Sequence, residues 1–318
     1  LQRPGRTAGG LHRCGVTPGR RNALSLRYTL SINGPGLKPR QQTGVSRHHS
    51  PLNTTTWQRI DNLLKFTGIG SGIKGALIDT DSGQLTTERY RIATPDPSTP
   101  EAVAQTIKEI CDHFQYQGHM GVAFPAAIRD GIIQTASNID KTWIGQDARA
   151  LLQEVTGCEA AIINDADAAG LAEMRFGHGK DLTGVGLIVT VGSGLGTALF
   201  TNGILLPNTE LGHVHYKNKI AEKWASDATR KEENLSWKKW AKRFGKYLHY
   251  MEKLFYPELI IIGGGASKKF EKYDSHLLKR VDTRVVPAHL QNHAGIIGAA
   301  IEARESEMEW TQKPSDAE

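Results

Sequence analysis

The chain has 318 residues, 39% of them hydrophobic, and carries 39 Lys/Arg, 33 Asp/Glu and three cysteines. No apolar run approaches the ~18 residues of a membrane span, and Cys14, Cys111 and Cys158 fit neither a zinc spacing nor a disulfide framework, so no zinc and a reducing compartment are expected. Ten of the basic residues lie in 1–60, which has no Asp or Glu; the rest of the chain then holds 29 basic against all 33 acidic side chains, which argues against a general nucleic-acid surface.

Residues 1–62 are rich in Arg, Gly, Pro and Ser and lack apolar periodicity. They are expected outside the fold, as a disordered, presequence-like segment or as translated non-coding sequence. A transit peptide would direct the chain to a plastid or other organelle; otherwise a cytoplasmic protein is expected. Order begins near Leu63. Gly70-Ser71-Gly72-Ile73-Lys74-Gly75 has the text of a dinucleotide fingerprint, but an apolar strand and not a helix follows it, so the fingerprint is rejected. A strand–glycine turn–strand remains. It is either an ordinary hairpin or a set of backbone N–H groups aimed at phosphate oxygens.

Gln84–Thr94 reads as a third strand. Ser98 or Thr99 caps a helix, with Pro100 in its first turn, Glu101 completing a capping box, and Val103, Ile107, Ile110, Cys111 and Phe114 on one face. Met120–Phe124 is a buried strand, and Asp130-Gly131 closes a hairpin. The polar loop from Thr135 to Trp143 either holds a sugar or is a surface loop with a packed Trp.

The stretch from Asn164 to Glu173, reading NDADAAGLAE, follows the short apolar run Ala160 to Ile163 and turns alanine-rich, so a strand gives way to a helix. At that junction Asp165 is either a base held at a strand end or, with Asn164, a helix cap. Val185–Val191, Gly192-Ser193-Gly194-Leu195-Gly196-Thr197 and Ala198-Leu199-Phe200 repeat the strand–glycine turn–strand pattern, which suggests a duplicated fold with two turns facing a cleft. Glu210 and His213 lack a third ligand at zinc spacing, so hydroxyl recognition is expected of them. Glu222 opens a helix. A longer amphipathic helix over 236–255 puts Trp237, Trp240, Ala241, Phe244, Leu248, Met251 and Phe255 inside. Its Lys238, Lys239, Lys242, Arg243 and Lys246 form a solvated face or a polyanion track. Gly263-Gly264-Gly265, before Lys268 and Lys269, opens toward a helix and can admit a nucleotide or phosphate chain. Ala294–Ala303 is a closing helix of small residues.

The phrases GSGIKGALID, NIDKTWIG, NDADAAGLAE, PNTELGH, AEKWAS, LSWKKWA, GGGASKK, VVPA and NHAGIIGAA, in this order, resemble the ROK family of sugar kinases, and within it the polyphosphate glucokinase branch. The resemblance covers about Gly70 to Ala303. It implies an α/β fold of two ribonuclease H-like (actin-like ATPase) lobes with an interdomain cleft. Residues 63–163, joined by the C-terminal helix 294–305, would form the smaller lobe, 164–293 the larger, and 306–318 a disordered tail. It also implies phosphoryl transfer from polyphosphate or ATP to the 6-hydroxyl of glucose, a divalent metal such as Mg²⁺, and a homodimer. The residues leave glucose against mannose, and polyphosphate against ATP, open.

By the same resemblance Asp165 corresponds to the general base, and Asn138, Asn164, Glu210, His213 and Glu222 to sugar contacts. Gly70, Ser71, Gly72 and Lys74 correspond to the first phosphate turn, and Gly192, Ser193, Gly194 and Gly196 to the second. Gly264 and Gly265 correspond to the turn for distal phosphates, with Lys268 and Lys269 as a polyphosphate path. One departure matters. The family's metal-site aspartate falls on Thr67 and the first glycine of its turn on Ile69, which puts metal binding in question and implies ~10²–10³ less activity. Ala123, Ala126 and His215 are smaller departures. The alternative is therefore a catalytically impaired sugar-binding pseudokinase. A transcriptional regulator would need an N-terminal helix-turn-helix, for which residues 1–60 lack helical periodicity.

Overall fold

The computed structural model describes residues 62–67, 72–137, 139–216 and 218–312. The presequence-like segment expected over 1–62 lies, but for its last residue, outside them, as do Gly70, Ser71 and Asn138. Strand β1 (Asn62–Thr67) pairs antiparallel with β2 (Ile73–Asp79), in register from Asn62 opposite Asp79 to Thr67 opposite Lys74. A strand thus follows GSG, and the dinucleotide fingerprint stays rejected. The third strand expected over 84–94 is two short pieces, β3 (Gln84–Leu85) and β4 (Tyr90–Ile92), both on the free edge of β2. Between them the Thr87 hydroxyl accepts the Leu77 N–H, so a side chain replaces the ladder.

Helix α1 (Pro100–His113) is capped by Thr99, whose hydroxyl accepts from Ala102 N at 3.3 Å. Glu101 is therefore at the second helical position, and the expected capping box does not form. Ser98 is used elsewhere: its hydroxyl accepts the Asp140 N–H and its carbonyl the Trp143 indole N–H. Trp143 is fully buried and packs edge-on to Phe124 at 4.7 Å between ring centroids. The aromatic of the 135–143 loop is thus a core residue and not a sugar platform. Strand β5 (His119–Phe124), the hairpin β6 (Ile128–Arg129) and β7 (Ile132–Ile133), helix α2 (Ala148–Thr156) and β8 (Glu159–Asn164) follow. The first sheet has the order β3-β2-β1-β5-β8, antiparallel to β1 and parallel beyond it.

After α3 (Asp165–Phe176), the second sheet repeats this plan. Strands β9 (Val185–Val191), β10 (Leu195–Thr201) and β11 (Ile204–Leu206) form an antiparallel meander. A small ribbon of β12 (His215–Tyr216) and β13 (Lys219–Ile220), then α4 (Glu222–Ala225), α5 (Asp227–Glu232) and α6 (Trp237–Phe255), lead to β14 (Leu259–Gly263). Beyond the short α7 (Asp274–Leu277), β15 (Arg284–Pro287) completes the order β11-β10-β9-β14-β15, parallel from β9 outward. The two sheets thus share one order and one set of strand directions, as a duplicated fold requires.

Helix α6 buries Trp240, Ala241, Phe244, Leu248 and Met251 of the expected stripe, leaves Trp237 and Phe255 at its two ends half-buried, and also buries Tyr247, which that stripe omitted. Its lysines are exposed and its Arg243 pairs with Glu233 at 2.6 Å. The helix expected after the third glycine turn is instead 3-10 structure over Gly265–Lys272, broken at Lys269. The last helix, α8 (Ala294–Gln312), runs past the expected end, so 306–312 are helical and not a disordered tail.

Helix α3 packs on α8 and on both sheets. Its small residues make this feasible: a Cβ on Gly298 of α8 would lie 1.6 Å from the Ala168 carbonyl oxygen, and one on Gly170 would lie 2.8 Å from Ala198 Cβ. The β8–α3 junction is in this way gripped from several sides.

Candidate active site

The carboxyl ends of the parallel strands open on a cleft of about 600 Å³, where α/β folds place ligands. Asn164, the last residue of β8, is buried and caps α3. Its Oδ1 accepts from Ala166 N at 2.8 Å and Asp167 N at 3.1 Å. Its Nδ2 donates to the Ala126 carbonyl at 3.0 Å and to Glu210 Oε1 at 3.3 Å. The cap is therefore Asn164, and Asp165 has its carboxylate left for the cleft, which it lines. Surrounding protein pushes the Asp165 carboxyl up to about 6, helped by the negative charge of Glu210, while its own amide and that of Ala166 oppose the shift. Its side chain is open to the cleft, so water moderates that shift.

His213 stands between two carboxylates, with Nδ1 3.5 Å from Glu210 Oε2 and Nε2 3.9 Å from Glu222 Oε1. Burial raises Glu210, and Glu222 adds to this while His213 opposes it. The loop carrying Glu210 and His213 passes close to β10, since a Cβ on Gly212 would lie 1.9 Å from the Leu195 carbonyl oxygen. Asn164, Asp165, Glu210, His213 and Glu222 all line the cleft.

Gly192, Ser193 and Gly194 of the β9–β10 turn, Gly196 of β10, and Gly264 and Gly265 after β14 line the same cleft. A side chain on Gly194 would meet Glu222 Oε2 at 2.4 Å, and one on Gly264, at φ +71°, would meet Val191 O at 2.6 Å. Gly192 N–H is spent on the Gly194 carbonyl at 3.1 Å, so that donor turns into the hairpin and not toward a ligand.

Other expected site residues lie apart. Gly72, just before β2, and Lys74 on β2 do not line the cleft; Lys74 is opposite Arg91, and burial together with Arg91 and Arg89 lowers its pKa. Lys268 and Lys269 are exposed and also off the cleft wall. Thr67 ends β1, opposite Lys74. Among the described residues no group of three or more His, Cys, Asp or Glu side chains is disposed to hold a metal.

Sequence reasoning missed Asp167, Asn208 and the cleft-lining Gln291 and Asn292. Asp167 and Asn208 lie within the phrases NDADAAGLAE and PNTELGH, but nothing in their spacing distinguishes them from a helix residue and a loop residue.

The chain matches the ROK family over residues 68–222, a match that begins one residue after Thr67. It is 46% identical over 233 residues to the polyphosphate glucokinase of Mycobacterium tuberculosis, covering 73% of this chain and 87% of that relative. The chain belongs to the ROK family. A second ROK relative, the polyphosphate glucokinase of Mycobacterium leprae, is 43% identical over the same length, 71% of its own. Among solved structures, the inorganic polyphosphate/ATP-glucomannokinase of Arthrobacter sp. strain KM superposes with a TM-score of 0.73 at 41% identity, covering 77% of this chain and 99% of that one. A ROK glucokinase from Streptomyces griseus, solved with glucose and AMPPNP, gives a TM-score of 0.66 at 21% identity and shares the fold. The two matching sheets are the halves of this actin-like ATPase architecture.

Proposed function

We propose that this chain transfers a phosphoryl group from inorganic polyphosphate or ATP to the 6-hydroxyl of glucose, giving glucose 6-phosphate. The observation that carries the reading is the meeting of Asp165, Asn164, Glu210, His213 and Glu222 with two glycine turns in one cleft, in a chain 46% identical to a polyphosphate glucokinase. The glucose hydroxyl attacks the terminal phosphorus, the bond to the leaving phosphate oxygen breaks, and the hydroxyl proton passes to Asp165. Such a base contributes ~10²–10⁴ in rate. Glu210, His213, Glu222 and Asn164 bind sugar hydroxyls, and hydroxyl-binding polar groups reject analogues that lack them. Two lobes, 63–163 with helix 294–305 and 164–293, close over the reaction and exclude water. A divalent cation would neutralise donor charge, but no step is assigned to it.

A donor longer than its reacting phosphate fits a basic cluster near the cleft end. Arg89 Nη1 donates to the carbonyl of Asn292, a cleft residue, at 3.5 Å. Burial, Arg89 and Lys268 lower the His293 pKa, as expected where cations crowd together. A phosphate chain relieves that repulsion.

The test is glucose 6-phosphate formation with polyphosphate and Mg²⁺ by this chain and by Thr67→Asp. Turnover by either supports the kinase reading, and a gain of ~10²–10³ on restoring the carboxylate supports the role assigned to position 67. Glucose binding without turnover in both favours the pseudokinase alternative, which Thr67 motivates.

A further inference from the structure

Asp167 is 1% exposed, yet among the described residues no cation pairs with it. Its Oδ2 accepts the backbone N–H of Asn208 at 2.7 Å, and its Oδ1 is buried without a hydrogen-bond partner. The carboxyls facing it are Asp165 on its own helix, Glu210 on the loop and Glu302 on α8; with burial as the main cause, they push it up to about 7. A carboxyl so placed costs stability, and its geometry shows what it holds.

Asn208 is in the left-handed region at φ 58°, an uncommon conformation for a residue with a side chain. Its side chain acts as a second peptide group: Nδ2 donates to Ile128 O and Oδ1 accepts from Ile128 N, both at 2.8 Å. It thereby joins the loop after β11 to the β6–β7 hairpin, which belongs to the other half of the fold. Two residues later Glu210 reaches Asn164 at 3.3 Å.

We infer that Asp167 is a positioning residue for the acceptor sugar: by accepting the Asn208 N–H it fixes the bridge to Ile128 and so sets Glu210 beside Asp165. This rests on the glucose-binding reading above. Asp167 touches no reacting atom, and its effect falls on the acceptor side of the cleft and not on the glycine turns.

The experiment compares Asp167→Ala, which loses the acceptor, with Asp167→Asn, which keeps one, reading glucose Kd by calorimetry and the KM values of both substrates. For Asp167→Ala, glucose Kd and KM rise about tenfold or more while the polyphosphate KM stays within about twofold; Asp167→Asn stays within about threefold of the unmodified chain. An equal rise in both KM values, an Asn variant as impaired as the Ala variant, or an unchanged Ala variant overturns the assignment. Should circular dichroism show Asp167→Ala unfolded, Asn208→Gly carries the same expectation, because it keeps the backbone N–H and φ but removes the bridge to Ile128; an unchanged glucose Kd there overturns it. If the unmodified chain neither binds glucose nor forms glucose 6-phosphate, the acceptor reading fails and this inference with it. If it does both and the variants disobey, only the role of Asp167 fails.

Discussion

Asp165 and Asp167 are two residues apart and do different work. Asp165 is open to the cleft and raised to about 6, so the proposed base loses its proton-accepting form as pH falls through that value. The kcat/KM for glucose is expected to rise with pH through about 6 and then level. Asp165→Asn should lower kcat ~10²–10⁴-fold while glucose Kd changes little; a variant with near-normal kcat removes the base assignment. Asp167 bears on stability as well. Its carboxyl is raised from an ordinary 3.8 to about 7 in the folded chain, so the folded state holds a proton that the unfolded state has released. Between these values stability falls as pH rises. Thermal unfolding midpoints should decrease from about pH 5 to pH 8, and Asp167→Asn should flatten that slope. A slope unchanged in the variant would assign the titration to another group.

At the scale of elements, helix α3 matters most, because it presents both aspartates and packs on α8 and on both sheets. Its closeness to α8 depends on Gly298, where a Cβ would stand 1.6 Å from a backbone oxygen that has no rotamer to yield. Gly298→Ala should separate the two helices and cost roughly 1–3 kcal/mol, measured as a lower midpoint in chemical denaturation. It should also lower activity, because the β8–α3 junction moves with the helix. An unchanged midpoint and kcat would show that the backbone shifts at no cost. Helix α6 shows how far periodicity reaches: its apolar stripe was legible because one continuous 3.6-residue repeat spans nearly all of it. The 84–94 segment was not, because Thr87 supplies a hydrogen bond that a strand pattern attributes to the ladder.

At the scale of the whole molecule, function depends on surfaces from both sheets meeting. Arg89 follows β3 of the first sheet, and Lys268 follows β14 of the second; both bear on His293. Combined charge reversal, Arg89→Glu with Lys268→Glu, should raise the KM for polyphosphate several-fold more than that for ATP, because a long chain meets more of the cluster than a nucleotide triphosphate does. Equal effects on the two donors would remove the cluster from the donor path.

The sequence by itself determined the α/β class, the duplicated strand–glycine turn–strand pattern and the family phrases around Asp165. Local periodicity, turn chemistry and short motifs are properties of contiguous residues. It also exposed Thr67 as a departure, since that comparison needs only one position. Only the tertiary structure decided that Asn164 and not Asp165 caps α3, that Trp143 is core, and that Gly72, Lys74, Lys268 and Lys269 lie off the cleft wall. It alone brought Asp167 against Asn208 and Asn208 against Ile128. Those outcomes depend on hydrogen bonds and close approaches between segments some 40 to 80 residues apart, which spacing along the chain does not encode. Asp165, which the sequence left between base and cap, is freed for the cleft because its neighbour takes the capping bonds.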